Sequence, residues 1–331
     1  MKVLVTGAAG FIGSMLCEYL LEHGYDVTGV DNESTGSRAN LEKCFGSTRF
    51  EYVKADLLDN SIQLPGPWDF IVHLAAMVGV KTAIEKGVLV MEDNVAMTWT
   101  AMTIAEECDA KFVYISSSEV YGETTDQPLY ETYPCILPSP TDSRFAYTAG
   151  KVFDEYLVLG RKDSVKGVVI RPFNTVGARQ HRHYGAVLPN FVEACLNKKP
   201  MQLVEGGAQT RSFIHVRDTV SGIATVMETG KVGEIYNVGD SNEMTIKDLG
   251  FEVARVLGVE PRFELVGGGY PARGCTRRTP NVRKLCQLGW RCERTLEEAI
   301  REIAAKYAEE TRQRVVELYM HGFLQHVNDG V

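Results

Sequence analysis

The 331-residue sequence lacks several features that would decide the class of the protein at once. It has no apolar run near the roughly 18 residues that a membrane-spanning helix needs, and its first residues do not follow the plan of a secretory signal peptide. Its eight cysteines include no C-x-x-C pair and no regular spacing, which argues against zinc and against a disulfide framework. We therefore expect a cytoplasmic protein with reduced thiols, no metal site and no membrane partner.

Basic residues are outnumbered by acidic ones: the chain has 35 Lys and Arg residues and 43 Asp and Glu residues, so the net charge is −8. An acidic protein has no general attraction to nucleic acid, so we do not expect nucleic acid as a partner. The balance is uneven along the chain: residues 1–170 hold 24 acidic and 13 basic side chains, whereas residues 171–300 hold 14 and 18. The basic second part suits a small anionic ligand.

Short β-branched runs alternate with amphipathic segments through the first half of the chain. Such repeated β-α-β order predicts an α/β fold with a parallel, doubly wound sheet. The predicted strands are Lys2–Thr6, Tyr25–Asp31, Phe50–Asp56, Phe70–Ala76, Lys111–Ser118 and Gly167–Phe173, and the clearest helical segments between them are Ser14–His23 and Ala96–Cys108.

A glycine-rich segment follows the first predicted strand directly. Gly7, Gly10 and Gly13 stand between that strand and the first helix, which Phe11 and Ile12 open. Glycines at this spacing allow a tight turn and a close approach of the backbone to a pyrophosphate, whose charge then lies at the helix N-terminus. A glycine triplet alone is compatible with a plain turn, but strand, spacing and helix together predict a dinucleotide site.

An acidic residue ends the second predicted strand, about 20 residues further on. The Asp31 carboxylate can accept hydrogen bonds from the adenosine ribose and would repel a 2′-phosphate, and Asn32 rather than an arginine follows it. We therefore predict NAD rather than NADP. Arg38, a few residues further on, is a cation that would favour the 2′-phosphate of NADP. We interpret His73, at the end of the fourth strand, as a packed, hydrogen-bonded residue rather than a catalyst. Further cofactor candidates at the carboxyl ends of the third and fourth strands are Asp56, Leu57, Leu74, Ala75 and Ala76.

The alternation of strands and helices breaks after about residue 175, where loops, short strands and Gly/Pro clusters follow. We interpret residues 1–175 as a dinucleotide-binding domain, and residues 176–211 and 241–310 as a smaller substrate-binding region. A further strand, Glu234–Val238, is predicted to rejoin the sheet within a returning segment near 212–240, so that the two parts interleave.

The last segment, Leu296–Val327, has a helical period, and we interpret residues 311–331 as a C-terminal helical tail. We expect the apolar stripe of this helix to pack on the core of its own chain, with packing on a second subunit as the alternative. The stripe consists of Tyr307, Val315, Leu318 and Leu324.

Residues able to move protons lie at the end of the fifth strand and in a helical segment that follows it. Tyr147 and Lys151 are four positions apart and therefore share one helix face. A lysine ammonium beside a phenol favours the phenolate, so we expect the pKa of Tyr147 to fall from about 10 toward neutrality. Ser117, at the strand end, can pass or polarise the proton. Together with the glycine loop, these three residues form a candidate catalytic set.

These motifs resemble the extended short-chain dehydrogenase/reductases of the nucleotide-sugar epimerase, dehydratase and decarboxylase group, and the resemblance covers nearly the whole chain. It implies a Rossmann-type sheet with a smaller, interleaved C-terminal substrate-binding α/β region, NAD as cofactor, a UDP-linked nucleotide sugar as substrate, and a homodimer. The further segments that carry the resemblance are Arg171–Gly177, Gly185–Pro189, Gln209–Phe213, Tyr236–Gly239 and Arg277–Asn281.

The resemblance also assigns roles to single residues. Ser117, Tyr147 and Lys151 match the catalytic positions, and Asn94 matches a position near the nicotinamide pocket. Tyr147, Lys151 and Pro172 are also cofactor-binding candidates. A diphosphate needs arginine forks or backbone amides, which Arg211 and Arg278 are able to supply from separate loops, while Arg273 and Arg277 are weaker candidates. The residues that match nucleotide-sugar positions are Ser117, Asn174, Val187, Gln202, Val204, Arg211 and Arg278. We interpret His181–His183 as a flexible loop over the sugar site.

By the same resemblance, the enzymes of this group begin alike: Tyr147 takes a proton from a sugar hydroxyl, usually at C4, while hydride leaves that carbon for NAD and gives a 4-keto sugar. An epimerase returns hydride to the other face of the ketone, whereas a decarboxylase first releases the carboxyl group of UDP-glucuronate. A dehydratase uses an Asp-Glu pair, and Ser118 stands here at its first position, which disfavours a 4,6-dehydratase.

Two interpretations of the reaction stay open. Residues 73–80 and 173–180 are similar to bacterial and archaeal sugar 4-epimerases, whereas Ser118, Glu119 and Arg278 are similar to UDP-glucuronate decarboxylases. We favour 4-epimerisation of a UDP-hexose or UDP-hexuronic acid, with decarboxylation through Glu119 and Arg278 as the alternative. A non-catalytic NAD sensor is disfavoured because the chain keeps both the tyrosine and the lysine.

Overall fold

A computed structural model describes residues 1–59, 61–78, 86–180, 186–267 and 276–328 of the chain, without the side chains of Arg144 and of residues 314–328. The predicted loop His181–His183 therefore lies outside the described residues, as do Arg273 and the side chains of Val315, Leu318 and Leu324.

Seven parallel strands form the central sheet, and all except the edge strand Phe50–Lys54 contain buried Val, Ile or Leu, as strands covered on both faces must. Across the sheet the order is β11-β6-β5-β4-β1-β2-β3, and every neighbouring pair is parallel. This topology confirms the predicted doubly wound, Rossmann-type fold. The strands are β1 (Lys2–Thr6), β2 (Asp26–Asp31), β3 (Phe50–Lys54), β4 (Phe70–His73), β5 (Lys111–Ile115), β6 (Lys166–Pro172) and β11 (Ile235–Val238).

Helices cover both faces of this sheet because alternate strand residues point to opposite sides. Val3 and Val5 of β1 belong to a core that also contains residues of α1 and α5, whereas Leu4 belongs to a second core with residues of α2 and α3. The helices described are α1 (Phe11–Glu22), α2 (Val88–Glu107), α3 (Ala146–Gly160), α4 (Val187–Leu196), α5 (Val216–Thr229), α6 (Ile246–Leu257), α7 (Arg283–Cys286) and α8 (Leu296–Asn328). None of the described helices is both long and apolar enough to cross a bilayer.

The smaller region is built from paired short strands and has a hydrophobic core of its own. Phe191 of α4, Leu249 of α6 and Ile300 of α8 are all buried in that core. Its strands pair as β7 with β10 (parallel), β8 with β13 (parallel) and β9 with β12 (antiparallel). They are β7 (Thr175–Val176), β8 (Met201–Val204), β9 (Thr210–Ser212), β10 (Ile214–His215), β12 (Glu243–Thr245) and β13 (Phe263–Val266).

The two regions interleave along the chain, because β11 returns to the central sheet after β8 and β9 have been used in the smaller region. Helix α8 runs without a break through residue 311. The exact domain limits given above remain a prediction.

Candidate active site

A cavity of about 730 Å³ opens at the carboxyl edge of the central sheet. Ligands bind at this edge in open α/β sheets, because the strand ends and the N-termini of the following helices meet there. Both regions contribute to its lining: the glycine loop and the strand ends on one side, and Asn174, Val187 and Arg211 on the other. The cavity is therefore the candidate active site.

The glycine loop is packed so tightly that only glycine fits at two of its positions. Gly7 has a φ of +69°, and a Cβ there would lie 2.8 Å from the backbone nitrogen of Ala75. A Cβ on Gly13 would lie 2.1 Å from the carbonyl oxygen of Gly7. With the loop so compact, Phe11 and Ile12 at the start of α1 line the cavity. A diphosphate fits there, because the unpaired N–H groups and the dipole of the helix favour an anion.

Asp31, at the end of β2, is held by the backbone on both carboxylate oxygens. Oδ2 accepts a hydrogen bond from the Ala9 N–H (2.9 Å) and Oδ1 accepts one from the Glu33 N–H (2.7 Å). Burial raises the pKa of this carboxyl group, and the two N–H donors oppose that rise. Next to it, the Asn32 amide donates to Asp56 Oδ2 (3.0 Å). The end of β2 thus presents a fixed acceptor that suits ribose hydroxyls and repels a phosphate.

Arg38 is the cation that weighs against NAD in the sequence. Its guanidinium carbon lies 4.8 Å from the centre of the Phe45 ring and 5.6 Å from that of the Tyr52 ring. A guanidinium stacked on two aromatic rings is already engaged in a favourable contact. This arrangement fits a site for NAD rather than one built to receive a 2′-phosphate.

The predicted cofactor residues, with the exception of Asn94, all line the cavity. They are Gly7, Gly10, Phe11, Ile12, Gly13, Asp31, Asn32, Asp56, Leu57, Leu74, Ala75, Ala76, Tyr147, Lys151 and Pro172. Asn94 is buried behind the lining, where its Oδ1 accepts from the Met77 N–H (2.7 Å) and its Nδ2 donates to the Met77 carbonyl (3.1 Å). Asn94 therefore fixes the loop after β4, and a direct contact with the cofactor remains a prediction for it.

His73 is packed and hydrogen-bonded, as we interpreted it from the sequence. Its Nδ1 lies 2.8 Å from Thr6 Oγ1, and its Nε2 lies 3.3 Å from Thr98 Oγ1. Burial, with a smaller contribution from the Lys151 charge, lowers the pKa of His73 to about 3. The imidazole is neutral at physiological pH.

The structure brings Ser117, Tyr147 and Lys151 together on the lining of the cavity. The Lys151 ammonium lies 6.0 Å from the centre of the Tyr147 ring and donates to the Ile115 carbonyl at the end of β5 (2.8 Å). Ser117 hydrogen-bonds the Tyr147 hydroxyl and accepts from the Glu119 N–H (3.1 Å). A tyrosine with an activating serine and lysine can take a proton from a substrate hydroxyl and return it.

The expected fall in the pKa of Tyr147 is wrong for the polypeptide alone. Burial, followed by the Glu119 carboxylate, raises the pKa of Tyr147, and the hydrogen bond from Ser117 opposes that rise only in part. Burial also lowers the pKa of Lys151 to about 8, which Asp154 and Glu155 oppose. The sequence pattern showed the neighbours of the phenol but not how deeply the pair is buried.

Glu119 and Arg278 form an ion pair beside Tyr147. Glu119 lines the cavity, whereas Arg278 is buried behind it, and the Nε of Arg278 has no hydrogen-bond partner among the described residues. The two residues are 159 positions apart. Each of the two was a predicted site residue, but their direct contact was not predicted from the sequence.

The other predicted substrate residues divide into two groups. Asn174, Val187 and Arg211 line the cavity, and the Asn174 amide donates to the Ser212 carbonyl (2.9 Å). Gln202 and Val204 lie on β8 and are not among the described residues that line the cavity. Contact of either group with a substrate remains a prediction.

Arg277 was a weaker candidate for the diphosphate, and its guanidinium pairs with Glu243 through two hydrogen bonds of 2.9 and 2.7 Å.

Gln180 is a lining residue that was not predicted from the sequence, although it ends a segment used for the family resemblance. Its Nε2 donates to the Thr175 carbonyl (3.1 Å), and its buried Oε1 has no partner within the described part of the chain. Only the position of Gln180 at the end of that segment could have pointed to it.

The seven described cysteines, all except Cys275, are free thiols. Across the ranges that the structure describes, there is no group of three or more His, Cys, Asp or Glu residues that could hold a metal ion.

Fold and site together are typical of one class, the Rossmann-type enzymes with a dinucleotide cleft and a neighbouring Tyr-x-x-x-Lys pair. The chain belongs to the NAD-dependent epimerase/dehydratase family, whose sequence model matches residues 3–239. NAD is its cofactor, in agreement with the fit of the glycine loop and of Asp31.

Among its relatives is UDP-glucuronic acid decarboxylase 1 of Arabidopsis thaliana, 32% identical over 310 residues that cover 93% of this chain and 70% of that protein. The UDP-N-acetyl-alpha-D-glucosaminuronate decarboxylase of Bacillus cytotoxicus is 32% identical over 298 residues, which cover 87% of this chain and 91% of the relative. The solved UDP-glucuronic acid 4-epimerase of Bacillus cereus, in complex with UDP-glucuronic acid and NAD, is 26% identical with a TM-score of 0.84, and the match covers 93% of this chain and 99% of that one. These proteins place the chain among nucleotide-sugar epimerases, dehydratases and decarboxylases.

Proposed function

We propose that this protein oxidises C4 of a UDP-linked hexuronic acid and then releases the C6 carboxyl group as CO2. The observation that carries the proposal is the Glu119–Arg278 ion pair at the cavity beside Tyr147. Both residues are among those in which the sequence resembles UDP-glucuronate decarboxylases. The decarboxylases from Arabidopsis thaliana and Bacillus cytotoxicus among its relatives support the same reaction.

In the first step, Tyr147 accepts the proton of the C4 hydroxyl, and Ser117 supports it through the hydrogen bond to the phenol oxygen. Lys151 supplies a positive charge close to the developing phenolate. When bound, NAD would supply the hydride acceptor for C4 and, in its reduced form, the hydride donor. The residues proposed to hold it are those of the glycine loop, Asp31, and the lining residues after β4.

The 4-keto uronic acid is a β-keto acid, so the C5–C6 bond can break with its electron pair moving toward the C4 oxygen. Tyr147, now carrying the proton from the first step, stabilises that oxygen. A proton must then reach C5, and we assign its delivery to Glu119, whose carboxyl group lines the cavity and which Arg278 orients. Because this carboxylate is ionised in its pair with Arg278, it first takes that proton from solvent and then passes it to C5. Reduction of the C4 ketone, with return of the Tyr147 proton, completes a UDP-pentose.

The test is incubation of the purified protein and NAD with UDP-glucuronate that carries ¹³C at C6. We expect labelled CO2 and a UDP-pentose, both followed by NMR. UDP-N-acetylglucosaminuronate and UDP-glucose are the comparison substrates, since the first has the same carboxyl group and the second has none. Retention of the label in the sugar would overturn decarboxylation.

A 4-epimerase, the reaction favoured by the sequence, is the second candidate. The structural likeness to the Bacillus cereus UDP-glucuronic acid 4-epimerase, with a TM-score of 0.84, favours it. The first step is the same, but the ketone presents its other face before it is reduced, and C6 is kept. In the same experiment this reaction gives labelled UDP-galacturonate and no CO2.

We also propose a homodimer through the outer faces of α2 and α3. Large apolar side chains on these helices are exposed, among them Trp99 (51%), Phe153 (53%) and Tyr156 (77%). The two helices lie side by side, so one continuous apolar face is available to a second copy of the chain. Light scattering on the wild-type protein and on Phe153→Arg tests the dimer. We expect the wild type to be a dimer and the variant a monomer. A monomeric wild type would contradict the proposal.

A further inference from the structure

A buried carboxylate that the mechanism above does not use lies directly beneath the catalytic pair. Asp154 follows Lys151 by three positions on α3, so both side chains share one helix face. The Asp154 side chain is fully buried, and its Oδ2 accepts hydrogen bonds from Tyr114 Oη (2.7 Å) and Thr98 Oγ1 (3.0 Å). Within the described residues its Oδ1 has no partner. A buried carboxylate with a free oxygen is costly unless a nearby cation compensates it.

Lys151 is that cation. Its Nζ lies 4.7 Å from the centre of the Tyr114 ring, and the hydroxyl of the same ring donates to Asp154. Lys151, Tyr114 and Asp154 therefore form one buried group. The Tyr114 ring lies between the ammonium and the carboxylate, and the two charges still interact. Charges at this depth interact far more strongly than on a surface.

A chain of hydrogen bonds also points toward Asp154 from the cofactor side. The Ala75 N–H, on the cavity lining, donates to Thr6 Oγ1 (3.2 Å), which leaves the Thr6 hydroxyl hydrogen for His73 Nδ1. From this network we assign the His73 proton to Nε2, which donates to Thr98 Oγ1 (3.3 Å). Thr98 in turn donates to Asp154, in competition with the Asn94 carbonyl at 3.0 Å. Burial raises the pKa of Asp154, and the Lys151 charge and the hydrogen bonds from Tyr114 and Thr98 oppose that rise and favour the charged form.

The other ionisable groups around Lys151 offer it no comparable charge. The Glu155 carboxylate is paired with the Arg171 guanidinium through bonds of 2.9 and 2.6 Å and also accepts from Ser116. His73 is neutral, as are the two tyrosines near Lys151. Among the described residues, Asp154 is the carboxylate that faces Lys151 with its charge uncompensated by an arginine.

We propose that Asp154 is a positioning residue, whose buried charge keeps the Lys151 ammonium protonated beside Tyr147. The inference rests on the roles proposed above for Tyr147 and Lys151. In agreement with it, burial lowers the pKa of Lys151 and Asp154 is the largest influence opposing that fall. Without Asp154, Lys151 would lose its proton at a lower pH, and the charge that supports proton transfer would be lost with it.

The experiment titrates Lys151 directly, by NMR of the full chain labelled with ¹³C at the lysine ε carbon, with Lys151→Met to assign the signal. We expect Asp154→Asn to lower the midpoint of the Lys151 titration by at least one pH unit, and Asp154→Glu, which keeps the charge, to restore most of it. Asp163→Asn, which removes an exposed carboxylate just after α3, is the matched control and should leave the midpoint unchanged. A Lys151 midpoint that is the same in wild type and Asp154→Asn overturns the proposal.

If Asp154→Asn does not fold, Asp154→Ser serves in its place, because its hydroxyl can keep one of the two hydrogen bonds while the charge is removed. The alkaline limb of the pH dependence of kcat should move with the NMR midpoint, by the same amount. The NMR titration needs no nucleotide sugar. A shifted midpoint in a protein that converts no nucleotide sugar would therefore uphold this inference and reject the proposed function.

Discussion

The two walls of the cavity are built by different means. The cofactor wall, formed by Gly7–Gly13, Asp31 and Leu74–Ala76, is set by the backbone: two of the glycines, Gly7 and Gly13, have no room for a Cβ, and backbone N–H groups hold the Asp31 carboxylate. The substrate wall, formed by Glu119, Asn174, Val187 and Arg211, is backed by long-range contacts such as Glu119 with Arg278. Backbone geometry follows the local sequence, whereas long-range pairs follow the fold. For this reason the cofactor can be read from the chain more securely than the reaction can.

Tyr147→Phe is the change with the largest expected effect, because it removes the proton acceptor on which both candidate reactions depend. We expect kcat for UDP-glucuronate to fall about 10³-fold. NAD affinity, measured by titration calorimetry, should change little, since the aromatic ring of residue 147 is kept and the glycine loop and Asp31 are untouched. Unchanged turnover of every nucleotide sugar tried would contradict an enzymatic role.

Glu119→Gln tests the substrate wall alone. It keeps the shape of the side chain but removes the group proposed to protonate C5, together with the charge paired with Arg278, so formation of the UDP-pentose should slow about 100-fold. Oxidation at C4 should persist, visible as absorbance of reduced nicotinamide. Glu123→Gln, four positions along and exposed, is the control. Equal loss of both steps would show that Glu119 is not specific to decarboxylation.

Gly13→Ala tests the cofactor wall alone. The new Cβ would meet the Gly7 carbonyl oxygen at 2.1 Å, so the loop must shift. We expect about 1–3 kcal/mol lower stability in denaturant unfolding and NAD binding at least about tenfold weaker. In Gly160→Ala the added Cβ meets nothing within 4 Å, so stability and NAD affinity should stay at wild-type values. An unaffected NAD affinity in Gly13→Ala would refute the assignment of this loop.

Arg211 and Arg277 offer the smallest and finest test, because they are two arginines of the same region in different settings. Arg211 lines the cavity, whereas Arg277 is half-exposed and forked onto Glu243. Arg211→Gln should raise the KM of the nucleotide sugar about tenfold, because it removes the guanidinium proposed to bind the diphosphate. Arg277→Gln should leave KM within about twofold. The reverse result would move the diphosphate site toward Arg277.

Much of the fold was predictable from local pattern. The six strands predicted in the first half are all present, each within a few residues of its predicted limits, because buried parallel strands read as apolar runs. The glycine loop was predictable for the same reason: the strand, the turn and the helix start that define it are adjacent in the chain.

Features that depend on contacts between distant segments were not predictable in the same way. The pKa of Tyr147 rises because of burial and of Glu119, neither of which is visible in a Tyr-x-x-x-Lys pattern. Asn94 matches a position near the nicotinamide in related sequences, but here it bonds the backbone of Met77. Arg278 was predicted to hold the diphosphate or, in the alternative interpretation, to serve decarboxylation together with Glu119, and its contact with Glu119 appears only in the folded chain.

The position of β11 has a consequence for biosynthesis. This strand, residues Ile235–Val238, pairs with β6 and completes one edge of the sheet that binds the cofactor. A ribosome that has made only the first 175 residues has therefore produced a sheet with β6 as an open edge and with the α5 side of its core uncovered. Open strand edges and bare apolar faces invite aggregation, so we expect the isolated first 175 residues to be insoluble, whereas a fragment that ends after residue 239 closes the sheet.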